Sequence, residues 1–466
     1  MKQPNIVFIM SDDHAYQAMS CYGHGLNETP HIDRIAKEGI RFDRCYCTNS
    51  ICTPSRATIL TGQYNHTNGV RTLHDSLDNT RQTFPKLLQK AGYQTAIVGK
   101  WHLGHGEKHD PTGFDYWNVL PGQGLYHNPV FYEMGKEVQY EGYATDLITE
   151  KSIEWMEQRD KEKPFLLMCH HKAPHRPWEP ADKYKNLYDD IEFPYPDTFD
   201  DDYSTRGRAA HKAKMRIEDL KEKDVKAKTP AGLTLAEEKR WKYQRYIKDY
   251  LRCIASVDDS VGEILGYLEK EGIIDNTLII YTSDQGFYLG EHGWFDKRFM
   301  YEESFRMPFI VRYPKEISAG SISTDFVMNV DFAPTFLEYA GISIPEDMQG
   351  ESIRPLLQGE LPTDWRKTIY YRYWECDTPE QPSEHNVFPH YGVRTDRYKL
   401  IYYYTHGLDL SVNQEDGPIA PEWEFYDLEK DPAELNNVYG NPGYSQEIQS
   451  LKEELERIRQ EIGDHE

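Results

Sequence analysis

Basic charge is what this sequence is shortest of. Across 466 residues, 53 lysines and arginines face 77 aspartates and glutamates, a net charge of −24 with histidine neutral. That balance argues against nucleic acid or an anionic membrane surface as the main partner, because both select for an excess of positive charge over an extended face. Any anionic ligand must meet a local positive pocket. The start of the chain also lacks apolar length: MKQPNIVFIMSDD offers only Ile6 to Met10 before two aspartates, far short of the roughly 20 apolar residues of a membrane span or of the core of a secretory leader. A soluble, cytoplasmic chain is expected, or a periplasmic or secreted one if a leader was removed. A disulfide framework is missing too, since seven cysteines, an odd number spread over a long chain, fit reduced thiols better. Cys45, Cys47 and Cys52 cluster, and a thiolate metal site is one reading of them, but no second Cys/His pair at zinc spacing lies nearby. No internal repeat is found.

The hydrophobic content of 38% is that of a globular chain, and the length allows more than one unit. Short apolar runs alternate with longer amphipathic ones, the pattern of an α/β protein with a largely parallel, covered sheet. Strands are expected at Ile6 to Met10, Thr95 to Val98, Phe165 to Cys169, Leu278 to Thr282 and Phe309 to Arg312. Thr29-Pro30 should cap a helix running through Lys37 and stopping at Gly39. Residues 241–270 should form a long helix with Leu251, Ile254, Val257, Val261, Leu265 and Leu268 on one face. The charged, poorly periodic stretch 195–240 reads as an insertion of exposed loops and helical pieces. Past about residue 367 the texture becomes tyrosine-rich and strand-like (TIYYRYW, GVRTDRYKLIYYY), then an acidic and basic helix from about Gln446 to Ile462. The expected division is a catalytic domain at 1–366 and a C-terminal subdomain at 367–466, an antiparallel sheet with a terminal helix that contributes to the substrate pocket.

Four segments put polar groups at the ends of expected strands, where open α/β sheets build their sites. IVFIM ends in Ser11-Asp12-Asp13-His14. Adjacent carboxylates repel, and a divalent cation is the usual reason for aiming both at one place, a solvated turn being the alternative. TLIIYTS ends in Asp284-Gln285-Gly286, a carboxylate, an amide oxygen and a glycine that permits a tight turn. Two carboxylate-ended strands favour an all-oxygen site for Ca²⁺ or Mg²⁺ over zinc. In VGKWHLG, Lys100 and His102 are two apart, so an extended chain would turn a cation and a proton-transfer group the same way, unless both are ordinary surface residues. The fourth set joins His175, held between Pro174 and Pro177 on a stiff loop, with Phe295-Asp296-Lys297-Arg298.

One stretch remains, ICTPSRATILTG at 51–62. With the upstream Asp-Asp, GKWH, the Ala-Pro-His loop and SDQG followed by Lys297, it resembles the type I sulfatase family on the alkaline-phosphatase-like fold, and the match runs over nearly the whole chain in the family's order. In that family the cysteine of Cys-x-Pro-Ser-Arg is oxidised to formylglycine. The resemblance therefore implies that Cys52 is the precursor of an aldehyde and that Thr53 to Arg56 are read by a formylglycine-generating or anaerobic sulfatase-maturating enzyme. It implies that Asp12, Asp13, Asp284 and Gln285 hold one Ca²⁺ with the oxygen at position 52, although many members carry asparagine where Gln285 stands. Arg56 and His102 would orient the aldehyde hydrate, and Lys100, His175 and Lys297 would grip sulfate.

The implied reaction is in-line attack on sulfur by one hydroxyl of the hydrate, with a proton to the leaving oxygen from His175, followed by loss of sulfate from a covalent intermediate with His102 as base. The runs SDQGFYLGEHGWFDKRFMYEESFRMPFIVRYP and RYIKDYLRCIASVDDSVG resemble the glycan exo-sulfatases that include N-acetylglucosamine-6-sulfatases. A 6-O-sulfate on a terminal amino sugar of a glycosaminoglycan or mucin-type glycan is the expected substrate, with His385, His390 and Arg394 as candidate sugar contacts. The alternatives are a sulfatase for another sulfated sugar or aryl sulfate and a formylglycine-dependent phosphonate monoester or phosphodiester hydrolase.

Overall fold

Every residue of Asn5–Ser11 is buried, which is why its sequence is continuously apolar instead of alternating: the strand lies inside a sheet covered on both faces. In the computed structural model, which describes residues 3–376, 383–404, 406–407, 410–411 and 420–465, it pairs in parallel with Phe165–His170 on one side and Thr277–Ser283 on the other. Gln94–Lys100 continues the parallel centre beyond Phe165–His170. The sheet has 11 strands. Tyr116–Leu120 and an antiparallel pair extend one flank. On the other, Arg306–Arg312 runs antiparallel to both Thr277–Ser283 and Ile40–Tyr46, so the sheet is mixed. All five strands read from the sequence are present. Because the four central strands are parallel, the segments that follow them, Asp12-Asp13, Lys100 to His102, His171 to His175 and Asp284-Gln285, emerge along one edge.

The long helix is Leu235–Lys270, longer than the pattern suggested, because a capping box between Thr234 and Glu237 starts it earlier. Its six expected apolar positions are all buried. The first helix, Pro30–Lys37, is capped differently from the expectation. Thr29 makes no cap bond to the helix amides; its hydroxyl donates to Asp33 at 2.9 Å. The free amides of His31 and Ile32 instead donate to Asp258 Oδ1 of the long helix, at 3.1 and 2.8 Å.

The stretch 195–240 does contain helical pieces, Arg208–Lys212 and Glu222–Val225, but it is more than exposed loop. Ala209, Met215, Ile217 and Val225 are buried, and Arg208 bonds Glu422 of the C-terminal sheet. That sheet has four antiparallel strands, Thr368–Tyr373, His390–Thr395, Tyr398–Tyr403 and Glu422–Asp427, with Ser445–Ile462 placing Ile448, Leu451, Leu455 and Ile458 in the core. Tyr371 ties it to the centre: its hydroxyl accepts from the Ser50 amide at 3.2 Å and donates to the Arg298 carbonyl. Among the described residues no helix is long and apolar enough to cross a membrane.

Asp258 satisfies donors that Thr29 leaves free, so Asp258→Ala should lower stability by about 1–2 kcal/mol, a loss typical of a removed helix cap, and Asp258→Asn by less. Denaturant midpoints check this; an unchanged midpoint in the alanine variant would rule the cap out.

Candidate active site

The segment around Cys52 explains its own composition. Ile51 is extended and Cys52–Thr61 is a helix whose ten residues are all buried. Pro54 is tolerated because a first-turn amide has no intrahelical partner to lose. Thr53 Oγ1 lies 3.1 Å from His102 Nδ1. The Ser55 hydroxyl donates to the Asp284 carbonyl and accepts from Asn329 Nδ2 at 2.8 Å. Arg56 clamps Asp284 Oδ2 through Nε and Nη2, at 3.1 and 2.9 Å, and donates from Nη1 to the Lys100 carbonyl at 2.9 Å. Thus Cys-Thr-Pro-Ser-Arg places Cys52 at the positive end of a helix, and its other polar side chains stitch that helix to two strand ends.

The carboxylates are fixed as tightly. Asp13 sits in the left-handed region, φ 67°, an uncommon conformation for a non-glycine residue. The Tyr250 hydroxyl donates to its carbonyl at 2.6 Å, and its amide donates to Asp284 Oδ1 at 3.2 Å. Asp12, Asp13 and Asp284 are all buried. Lys100 pairs with Asp12, Lys297 with Asp13, and Arg56 with Asp284, Arg56 also standing 3.5 Å from Asp12. Ligand atoms of Asp12, Asp13 and His175 lie within 4.8 Å of one another. The Gln285 amide donates to Asp13, leaving its buried Oε1 without a partner, as is Asp12 Oδ1. Buried acceptors without donors are costly unless a cation completes them. The three carboxylates and three permanent cations balance, so a divalent ion would make the pocket positive. The oxygen-only donors at Asp12, Asp13, Asp284 and Gln285 fit a hard cation.

The family model for sulfatases matches residues 4–342. The chain belongs to the sulfatase family. A second model, the C-terminal region of N-sulphoglucosamine sulphohydrolase, matches residues 290–461. Among relatives, an N-acetylglucosamine-6-O-sulfatase of Bacteroides thetaiotaomicron is 47% identical, covering 100% of this chain and 88% of its own length. The human N-acetylglucosamine-6-sulfatase is 29% identical over 80% of this chain and 67% of its own. The solved structure of BT4656 in complex with its substrate D-glucosamine-2-N,6-O-disulfate superposes with a TM-score of 0.91 at 46% identity, covering 100% of this chain and 99% of that one. The Agrobacterium radiobacter phosphonate monoester hydrolase, at 21% identity and a TM-score of 0.77, shares the fold alone. The alkaline-phosphatase-like architecture is thereby shown, and the activity class is sulfuric ester hydrolase. Members of this family generally depend on formylglycine and Ca²⁺.

In this sulfatase the remaining predicted residues divide. Cys52 lies in the field of Lys100, Asp12, Lys297 and Asp284, and burial pushes its thiol up to about 11 with Lys100 opposing. An unmodified Cys52 is therefore a neutral thiol and a weak nucleophile. His102 and His175 belong to the same cluster; burial, then Lys100, holds both imidazoles well below their ordinary value. His175 Nδ1 donates to the Arg176 carbonyl at 2.7 Å, leaving Nε2 3.8 Å from Asp13. The expected strand alternation of Lys100 and His102 does not hold: the strand ends at Lys100 and His102 turns back with φ 54°.

Of the three candidate sugar contacts, His385 lies 3.1 Å from Asp296, next to Lys297. His390 and Arg394 are taken up by the fold. His390 is fully buried, donating from Nδ1 to the Phe388 carbonyl at 2.7 Å and accepting from the Met300 amide at Nε2, 3.1 Å. Arg394 bonds Glu302 at 2.9 Å over the Tyr46 ring. The thiolate reading also gives way: burial raises Cys45 and Cys47, and Cys47 Sγ bonds the Phe305 carbonyl at 3.4 Å.

Sequence reasoning overlooked Gln123, which accepts from Lys100 Nζ, Asn329, and Lys172, whose buried ammonium lies 4.7 Å over Tyr126 and is lowered to about 8 by burial, then by Lys100. It also assigned no role to Asp296 and Arg298. These flank Lys297 with φ of 76° and 101°, and Arg298 bonds Glu375 at 2.9 Å. Lysine spacing in KAPH was the available signal for Lys172; Gln123, on a turn, and Asn329, at the start of a short 3-10 helix, are distant in sequence and left none.

Burial, against Lys297, lifts Asp13 from 3.8 to about 7, and burial with Asp12 nearby raises Asp284. A carboxyl raised on folding stabilises fully below its unfolded pKa and loses that contribution as pH climbs through the folded one. Asp12 is lowered, burial being overcome by Lys100 and His175, so its contribution is lost only toward lower pH. The neutral His102 and His175 act in the opposite sense, their contribution being lost as pH falls, so Asp13 is read as a difference: in chelator-treated protein the melting temperature of the wild type should fall relative to that of Asp13→Asn as pH rises from about 4 to about 7. A melting temperature that climbs equally in both proteins over that window would contradict the assignment.

Proposed function

We propose that this sulfatase hydrolyses a 6-O-sulfate monoester on a terminal amino sugar of a glycosaminoglycan or mucin-type glycan, using an oxygen nucleophile derived from Cys52. The observation that carries the reaction is the burial of Cys52 within the field of Lys100, Lys297, Asp12 and Asp284. The amino sugar rests on the relatives at 46 and 47% identity.

In this reading Asp12, Asp13, Asp284 and Gln285 would hold Ca²⁺ with the oxygen at position 52, and the ion would supply Lewis-acid charge that lowers the pKa of a hydroxyl beside it. Formylglycine, once hydrated, supplies one hydroxyl to attack and one to retain. The chain's own residues do the rest. Arg56, locked to Asp284, fixes the helix start, and Lys100, Lys297 and His175 receive the sulfate oxygens, opposing charge where it develops. Nδ1 of His175 is committed to a carbonyl, so Nε2 is the atom that moves a proton to the departing sugar oxygen. Burial first and Lys100 second keep this imidazole neutral; an anionic ester beside Lys100 relieves the second of these and so favours protonation in the complex. His102, oriented by Thr53, accepts the proton whose departure frees sulfate. Asp296, Arg298 and His385, which adjoin Lys297, are assigned to the sugar hydroxyls. Because Cys52, Thr53, Ser55 and Arg56 are at most 2% exposed, a maturing enzyme must meet this segment before it folds.

Mass spectrometry of the peptide containing Cys52 should show sulfur replaced by oxygen in active protein. Cys52→Ala should abolish turnover while the fold survives, since an exchange to alanine at a helix start costs little. Lys297→Ala should reduce kcat/KM by about 10² to 10³, the scale of losing one charge-stabilising group. Wild-type rates in either variant would sink the placement. A glucosamine 6-O-sulfate should be preferred to an aryl phosphodiester; a large preference for the diester would favour the phosphonate-type alternative instead.

A further inference from the structure

Lys100 ends its strand in register with Leu120 of the neighbouring strand Tyr116–Leu120. Three residues past that partner a tight turn brings the chain back, and Gln123 Oε1 accepts from Lys100 Nζ at 2.5 Å. The turn is pinned on both sides of the glutamine. The Gly122 amide donates to His105 Nε2 at 3.3 Å, and the Gly124 amide donates to the Pro121 carbonyl at 2.9 Å. Gly124 has φ 67°, and a Cβ there would stand 2.9 Å from the Leu120 side chain, so only glycine lets the turn close this tightly over the strand end. Gln123 is thus held beside the reaction centre by its own backbone as well as by the lysine.

That bond also fixes which way the amide faces. An ammonium donates and never accepts, so the oxygen of Gln123 is the atom turned to Lys100 and its nitrogen faces away. Asp12 and Gln123 take two of the three N–H groups of Lys100, which leaves one for a ligand. Gln123 Nε2 carries two more, and no acceptor among the described residues takes either; the side chain is half-buried. The contrast is with Gln285, whose amide nitrogen is spent on Asp13. Both ends of the Gln123 amide belong to one small planar group, so an anionic oxygen held by Lys100 comes within reach of the Nε2 donors.

Resting on the sulfate-ester reaction proposed above, we infer that Gln123 is a further substrate-binding residue of the sulfate pocket: its oxygen fixes the Lys100 ammonium, and its amide nitrogen donates to a non-bridging oxygen of the ester's sulfate. The lysine and the amide then hold the tetrahedral group as a linked pair. Being neutral, the amide adds grip without disturbing the balance of three carboxylates against three cations, and a hydrogen bond to a charged oxygen is worth more than one to a neutral acceptor.

Inhibition of the mature enzyme by inorganic sulfate and by N-acetylglucosamine, the two halves of the expected product, tests this. Q123L should weaken inhibition by sulfate by about 10- to 100-fold and leave inhibition by N-acetylglucosamine unchanged. Q123E, which still accepts from Lys100 but turns a carboxylate toward the anion, should weaken sulfate further than Q123L does. Unchanged sulfate inhibition in Q123L, wild-type sulfate inhibition in Q123E, equal weakening of both inhibitors, or a loss confined to N-acetylglucosamine overturns the assignment. A crystal structure of Cys52→Ala with Ca²⁺ and inorganic sulfate should place Nε2 within about 3.2 Å of a sulfate oxygen; an amide nitrogen turned elsewhere would make Gln123 a support for Lys100 alone and overturn the contact. Because inorganic sulfate contains no sugar, a wild type that refuses 6-O-sulfated sugars while cleaving another sulfate ester would sink the substrate reading and leave this test standing.

Discussion

Three carboxylates and three permanent cations, all buried at the carboxyl ends of parallel strands, form the interaction on which the rest depends. Charges in such a place tolerate little error. Removing one partner of a buried pair destabilises by about 3–5 kcal/mol, because the other is left uncompensated. Every element carrying one of these groups is accordingly fixed by backbone contacts as well. Asp12 donates its amide to the Ala173 carbonyl, Asp284 to the Ser11 carbonyl, and Arg56 reaches the Lys100 carbonyl. The same bonds that satisfy the charges hold the four strand ends in register, so the stability of the sheet's edge and the geometry of the site cannot vary independently.

Several groups reach the site only by leaving regular structure. Asp13, His102, Asp296 and Arg298 all have positive φ, a conformation that costs a non-glycine residue of order 1–3 kcal/mol and persists where surroundings over-determine it. The surroundings are visible: Tyr250 and Asp284 around Asp13, Thr53 beside His102, and Glu375, Tyr373 and His385 around the Lys297 turn. A regular strand end alternates its side chains between faces. Turning back at His102 and around Lys297 lets neighbouring residues converge on one point.

This also explains what was legible in the sequence. The parallel strands were, because burial on both faces makes them uninterrupted apolar runs, and the polar groups at their ends were, because an apolar strand followed by Asp-Asp or Asp-Gln-Gly is hard to explain otherwise. The Cys52 segment was legible through its resemblance, since its residues act through partners as distant as Asp284 and Asn329 that spacing does not reveal. What failed was whatever depends on long-range partners. Thr29 looked like a cap, but Asp258, some 230 positions away, supplies the acceptor. His390 and Arg394 looked like exposed recognition groups in a tyrosine-rich strand, yet backbone groups near Met300 and the Glu302 carboxylate claim them. Local sequence shows that a residue can bond, and only the fold shows with what.

Discrimination between substrates is built from different material than the reaction. The groups proposed to face the transferring sulfur stand at the ends of the central strands, on the helix at Cys52 and on the loops at His175 and Lys297, whereas the surfaces beyond Lys297 come from the insertion and the C-terminal region, joined by bonds such as Lys214 to the His385 carbonyl. The first set is constrained by mutual neutralisation; the second is held by packing, hydrogen bonds and outlying ion pairs such as Arg176 with Asp224, and can change charge without unbalancing the core. A phosphonate monoester hydrolase of 21% identity can therefore share the architecture at a TM-score of 0.77, because a tetrahedral anion asks the same of the centre whatever its substituent. The carbohydrate must be argued from the outer segments, whose composition the shared centre leaves undetermined.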